Sequence, residues 1–284
     1  MNEKREVRRP DGKAVPIKPI MKTGENGNRP GWFSPIYNRS RAERIDMKTA
    51  LQKRLVCLTP ERPEYSFYKV LKTNLLFLTR KASRNTILVT SAREGEGKTM
   101  TAINLALALA REYPLTVMLA DCDFYRQDVH KYFGIQSDVG LLNCFTENRP
   151  LEDIIIWPGI EKLTFISGGE PVQTSGEVLA SPMMKNLVEE MKHRYKDRYI
   201  LFDGPPILMS TDAIDLSALV DGIVFVAEAG RTTENEIEQA MKLVPREKIL
   251  GFVLNRQRKS IFKPYGYGYG YGYGYGYGYP GKRE

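Results

Sequence analysis

The residues best suited to chemistry are a lysine and a threonine closing a glycine-rich loop, and three aspartates at the ends of apolar runs. The run Thr86-Ile-Leu-Val-Thr leads into Ser91-Ala-Arg-Glu-Gly-Glu-Gly-Lys-Thr99, and a helical pattern follows. Gly95 and Gly97 let successive backbone N–H groups turn toward one anion, and the start of the helix adds partial positive charge. Lys98 is placed to reach the outer phosphates of a nucleotide, and the Thr99 hydroxyl to ligate Mg²⁺. The stretch Arg93, Glu94, Gly95, Glu96, Gly97, Lys98, Thr99 and Met100 is therefore read as a nucleotide-phosphate site. Ala92 stands where such loops usually begin with Gly, and it is small enough to serve.

A phosphate loop needs carboxylates opposite it. The apolar run Tyr199-Ile-Leu-Phe ends in Asp203, which is followed by Gly-Pro-Pro. A second run, Val117-Met-Leu-Ala, ends in Asp121, with Asp123 two residues on. Carboxylates at neighbouring strand ends repel one another unless they share a cation or a proton. Taken singly, each is as well explained as a loop cap. Taken with the loop, they read as metal ligands or proton acceptors, with Asp203 able to hold Mg²⁺ directly or through water.

These residues have to be held by regular elements. Short apolar runs rich in β-branched residues fall at 86–90, 115–120, 163–167, 198–202, 222–227 and 249–254, and helical stretches lie at 98–112, 181–195 and 232–244. Phe67, Leu71, Leu75 and Leu78 add a helical spacing before the first run. Strands alternating with helices predict an α/β, P-loop NTPase-like fold with a mostly parallel central sheet and helices on both faces. Such sheets bind ligands outside the carboxyl ends of their strands, where every motif above falls.

The 284 residues suffice for one substantial core. Residues 1–60 carry 14 Lys/Arg against 6 Asp/Glu, whereas the rest is balanced. Residues 1–58, with recurrent prolines, read as a basic arm, solvated or attracted to anionic lipid or nucleic acid; 59–260 form the P-loop domain and 261–284 a tail. No run is long and apolar enough to span a membrane, and the first residues lack a signal peptide's apolar stretch. Three cysteines at unrelated spacings and two histidines point away from a disulfide framework and from transition-metal chemistry. In the tail Tyr alternates with Gly from Tyr265 to Tyr279, a pattern too costly in backbone entropy for a stable strand and read as flexible.

LADCDFYR (119–126), FDGPPILMSTDA (202–213), ISGGEPVQTSGEVLASPMM (166–184) and VLNR (253–256), together with the tyrosine-rich tail, resemble the bacterial tyrosine kinases of capsule and exopolysaccharide synthesis. The resemblance covers roughly residues 60–256. It implies a tyrosine autokinase using ATP and Mg²⁺, with Lys98 on phosphate, Thr99, Asp123 and Asp203 around the metal, Asp121 helping the attacking phenol lose its proton, and Asn255 meeting adenine. Which of Asp121 and Asp123 is the base stays open. The acceptors would be Tyr265, Tyr267, Tyr269, Tyr271, Tyr273, Tyr275, Tyr277 and Tyr279. It also implies a ring-like homo-oligomer phosphorylating in trans, a separate membrane activator of the chain-length-regulator type, and a tyrosine phosphatase. The expected location is cytoplasmic, peripheral at the membrane through a partner, with no nucleic acid involved.

This chain departs from that pattern in two places. Ser66, Lys69 and Lys72 stand where the family has Glu, Arg and Arg for subunit contacts, and Tyr125 stands where an Arg is usual. Two other readings compete with the kinase. One is a partition- or septum-type switch ATPase, which carries a Lys where Arg93 stands here. The other is an ATP-gated scaffold with a self-associating Tyr-Gly tail.

Overall fold

The computed structural model describes residues 6–8, 14–16, 40–170, 178–194 and 197–257. The eight expected acceptor tyrosines and most of the basic arm lie outside the described residues.

An eight-stranded sheet organises the chain. Its strands are β1 (Arg41–Ala42), β2 (Thr86–Ser91), β3 (Thr116–Asp121), β4 (Ile156–Trp157), β5 (Leu163–Ile166), β6 (Arg198–Asp203), β7 (Gly222–Glu228) and β8 (Ile249–Asn255). In space they run β8-β7-β2-β6-β3-β5-β4-β1, and every pair is parallel except β4 with β5. The central strands β2, β3 and β6 are buried on both faces, which is why they read as unbroken apolar runs rather than alternating ones.

The period-two pleat divides their side chains between two cores. Ile87, Val89, Val117, Leu119 and Leu201 pack toward α1 (Met47–Gln52), α2 (Tyr65–Thr79) and α3 (Lys98–Ala110). Leu88, Met118, Ala120, Ile200 and Phe202 pack on the other side. There they meet α5 (Leu141–Thr146), α7 (Pro182–Arg194), α8 (Thr211–Leu219) and α9 (Glu234–Lys242), while the short α4 (Val129–Phe133) belongs to the first side and α6 (Leu151–Ile154) to the second.

The folded part begins earlier than the sequence suggests. Residues 40–58, expected to belong to the arm, lie on the core: Ile45, Ala50, Leu55, Val56, Cys57 and Leu58 are all buried. Asp46 caps α1 by accepting from the Lys48 and Thr49 amides. Buried Asn104 of α3 then clamps the segment. Its Oδ1 accepts from the Cys57 amide at 3.0 Å, and its Nδ2 donates to the Arg54 and Met100 carbonyls at 3.1 and 3.0 Å.

Helix α2 is present as expected, but its apolar spacing does not map onto one buried face. Leu75 and Leu76 are buried, whereas Phe67 and Phe77 are more than two-thirds exposed. Leu71, Leu75 and Leu78 line a groove of about 310 Å³ shared with Leu250 and Phe252 of β8. Lys72, one of the positions singled out for subunit contacts, forms an ion pair within the chain with Glu112, which Arg80 also approaches.

Candidate functional site

Strand β2 delivers the chain into the loop at the centre of the sheet, and α3 carries it away. Gly95 and Gly97 have φ of +79° and +93°, the left-handed region that only Gly enters at little cost. Gly97 is the residue that caps α3, so the loop's amides and the helix start converge on one spot.

The loop is braced from both sides. Glu96 is buried, and its Oε2 accepts from the Arg93 amide at 2.8 Å. Its Oε1 takes the hydroxyl of Thr232, and Thr232 in turn accepts from the Glu228 amide at 2.8 Å. Outside the loop, Asn255 Nδ2 donates to the Glu96 carbonyl at 2.8 Å. A Cβ at Gly97 would lie 2.1 Å from that same nitrogen. Glu96 therefore shapes the loop with its side chain, while its backbone carbonyl ties the loop to Asn255. The two remaining charged residues of the loop face solvent: Arg93 pairs with Glu236 of α9, and Glu94 with Arg126 at 3.3 Å.

The expected acids come together. Asp121 and Asp203 are register partners on adjacent strands, and both are fully buried. Asp123 follows on the turn after β3, and its Oδ2 meets Lys98 Nζ at 2.5 Å in a pair that is itself buried. Asp121 is held by the Val129 amide at 3.0 Å and the Asp123 amide at 3.3 Å.

Burial and the neighbouring Asp203 charge push the Asp121 carboxyl well above the ordinary range. Burial likewise lifts Asp203, to about 6, against the pull of Lys98. For Lys98, burial alone would lower the pKa, but the charges of Asp203 and Asp123 outweigh it and hold the amine protonated.

Among the described residues neither carboxylate oxygen of Asp203 has a hydrogen-bond partner; the Thr99 side chain faces it without making a bond of normal geometry. Two orphaned, buried acceptors beside a threonine hydroxyl suit a divalent cation, because an unpaired buried carboxylate is otherwise expensive. Among the described residues no group of three or more His, Cys, Asp or Glu forms a metal cage. A cation here would accordingly share its shell with phosphate oxygens and water, as hard divalent ions do.

The structure brings Lys98, Thr99, Asp121, Asp123 and Asp203 to one place beside the loop, with Asn255 on its rim. Sequence reasoning missed the outer ring: Glu228, Arg231, Thr232, Glu236 and Arg256. The local signals for any of them are the VLNR run, which ends in Arg256, and Thr233-x-x-Glu236, a capping box at the start of α9. Tyr65 and Tyr68 pack against the core. Trp157 is buried with its indole N–H on the Ile160 carbonyl.

The comparisons with known proteins agree with this geometry. Residues 82–261 match the ParA family model described as NUBPL iron-transfer P-loop NTPase. Tyrosine-protein kinase YwqD of Bacillus subtilis is 30% identical over 79% of this chain and 95% of that protein. Tyrosine-protein kinase CpsD of Streptococcus agalactiae is 31% identical over 69% of this chain and 84% of its own length. The kinase domain of Escherichia coli tyrosine kinase ETK superposes with a TM-score of 0.69 over 83% of this chain and 95% of that domain. At 24% identity it speaks for the fold alone. The match to the ParA model over most of the chain and the identity to YwqD and CpsD make the chain a member of the bacterial tyrosine-protein kinase family within the ParA-like P-loop NTPases.

Proposed function

We propose that the chain transfers the γ-phosphate of ATP to the tyrosines of its own C-terminal tail, Tyr265 to Tyr279. The observation that carries this reading is the buried group Lys98, Asp121, Asp123 and Asp203 beside the loop. It combines a cation for phosphate, a candidate seat for Mg²⁺ and a carboxylate able to take a proton.

Loop amides and Lys98 hold the phosphate chain, and Lys98 offsets the charge that builds on it during transfer. Thr99, Asp203 and Asp123 would hold Mg²⁺, which would offset phosphate charge. A free phenol has a pKa near 10, so its proton must leave as the new O–P bond forms and the bond to the ADP oxygen breaks. Asp121, whose proton affinity is raised by burial, takes that proton, with Asp123 as the other candidate. Asn255 on the loop's rim is suited to the adenine side of the nucleotide.

A flexible Gly-rich stretch of fifteen residues spans roughly 20 Å on average and about 50 Å fully stretched. On this reading the chain acts in trans within a homo-oligomer, under a membrane-bound activator and against a tyrosine phosphatase. Its setting is the control of exopolysaccharide or capsule synthesis at the inner membrane face. No helix among the described residues is long and apolar enough to cross a membrane; on this reading a membrane partner holds the chain there.

The test is intact-mass spectrometry after incubation with Mg·ATP, beside Lys98→Met. A ladder of phosphate additions on residues 265–279, absent from the variant, is expected. The ParA match keeps a switch ATPase as the second reading. ATP hydrolysis without phosphate on the tail, even with an activator present, would select it.

A further inference from the structure

The turn after β7 carries an arginine that neither the phosphate loop nor the aspartate cluster accounts for. Arg231 Nη1 lies 3.2 Å from Glu228 Oε2, and a Cβ built on Gly95 of the loop would stand 3.6 Å from the same nitrogen. The guanidinium thus already lies against the loop backbone, with its side chain 59% exposed.

Two features free it to move. Glu228 Oε2 also accepts from Arg256 Nη1 at 2.9 Å, so one carboxylate faces two guanidinium groups. If Arg231 leaves, Arg256 still neutralises Glu228, and no charge is stranded. The turn itself stays anchored, because the Arg231 and Thr232 amides bond the Glu228 carbonyl and Thr232 bonds Glu96 of the loop. Only the side chain has to swing.

We propose that Arg231 is a nucleotide-binding residue, exchanging its bond to Glu228 for the phosphate chain of a nucleotide held in the loop. A guanidinium presents a planar fork of donors that matches phosphate oxygens, and a phosphate carries more negative charge than the carboxylate it shares with Arg256. The proposal rests on the nucleotide-binding reading of the loop and is independent of whether tyrosine is the acceptor.

Calorimetric titration of the full chain with the magnesium complex of a non-hydrolysable ATP analogue tests it. Arg231→Ala should weaken binding roughly 10- to 100-fold, the range of a charge-assisted bond. Arg231→Lys should fall between that variant and the wild type, and Arg256→Ala should stay within about threefold. Glu228→Gln separates binding from scaffolding. If Arg231 works on phosphate, releasing it leaves affinity unchanged or improves it. If the ion pair merely shapes the turn, Glu228→Gln weakens binding as Arg231→Ala does, and the proposal is overturned. Wild-type affinity in Arg231→Ala overturns it as well. A wild-type chain that binds no nucleotide sinks the loop reading along with it. Thermal unfolding of each ligand-free variant guards against misfolding, and Arg231→Lys keeps the test open should the alanine variant unfold.

Discussion

Replacing Gly97 by Ala perturbs two things at once, and the structure allows them to be separated. The first is backbone: at φ +93° an L-residue is strained, by about 1–2 kcal/mol. The second is contact. The new methyl would fall 2.1 Å from Asn255 Nδ2, so the amide must swing away and its bond to the Glu96 carbonyl is lost. That bond contributes about 1 kcal/mol. Gly97→Ala should therefore cost about 2–3 kcal/mol, and Asn255→Ala about 1 kcal/mol. In the double variant the bond can be lost only once, so its cost should be about 2–3 kcal/mol rather than the sum. Urea denaturation of the four ligand-free proteins gives the cycle directly. Costs that add to within about 0.5 kcal/mol, the range expected of independent sites, would show that the two residues do not touch and would refute the reasoning.

Asn104→Ala should destabilise the protein by about 3 kcal/mol, since it strands the buried Cys57 amide and the Arg54 carbonyl together; hydrogen exchange should show amides 54–58 opening first. Asp221 accepts from the Asn85 and Thr86 amides and pairs with Lys192 at 2.6 Å. Burial alone would raise its pKa, but Lys192 and these bonds more than offset that and lower it. A lowered carboxylate stabilises the fold above its unfolded pKa and loses that contribution as pH falls through the folded one. Asp221→Asn should accordingly cost about 1–3 kcal/mol at pH 7, and the gap to wild type should shrink below about pH 4, as followed by denaturation at each pH. Asp203→Asn should abolish any Mg²⁺-dependent rise in melting temperature measured with nucleotide, while Lys98→Met should reduce nucleotide affinity itself.

The phosphate loop was legible because everything that makes it is contiguous: an apolar run, two glycines, Lys98, Thr99 and a helix. The acids were legible for a related reason, since Asp121 and Asp203 each end a strand buried on both faces. What surrounds them was not. Nothing near Glu96 says that its side chain turns inward to Thr232, because that partner comes from the far end of the domain. Residues 40–58 read as arm because their pieces are short, charged and broken by loops; they fold through distant partners, the β4 edge, the Phe133 carbonyl and Asn104. For α2 the apolar period marked a helix but could not say which residues it buries; the helix meets the sheet near its edge at β8, and Phe67 and Phe77 face outward.

That open edge sets a rhythm for the site. Among the described residues strand β8 is hydrogen-bonded only to β7, so its amides should be among the first in the sheet to let go during thermal fluctuation. Its last residue is Asn255, the outer brace of the phosphate loop. Each time the end of the strand frays, the brace lifts with it, and closing it again restores the loop. Opening of the sheet's margin and release of what the loop holds thus share one hinge, and a bound nucleotide should slow exchange of the Leu254 and Asn255 amides as much as it slows its own escape.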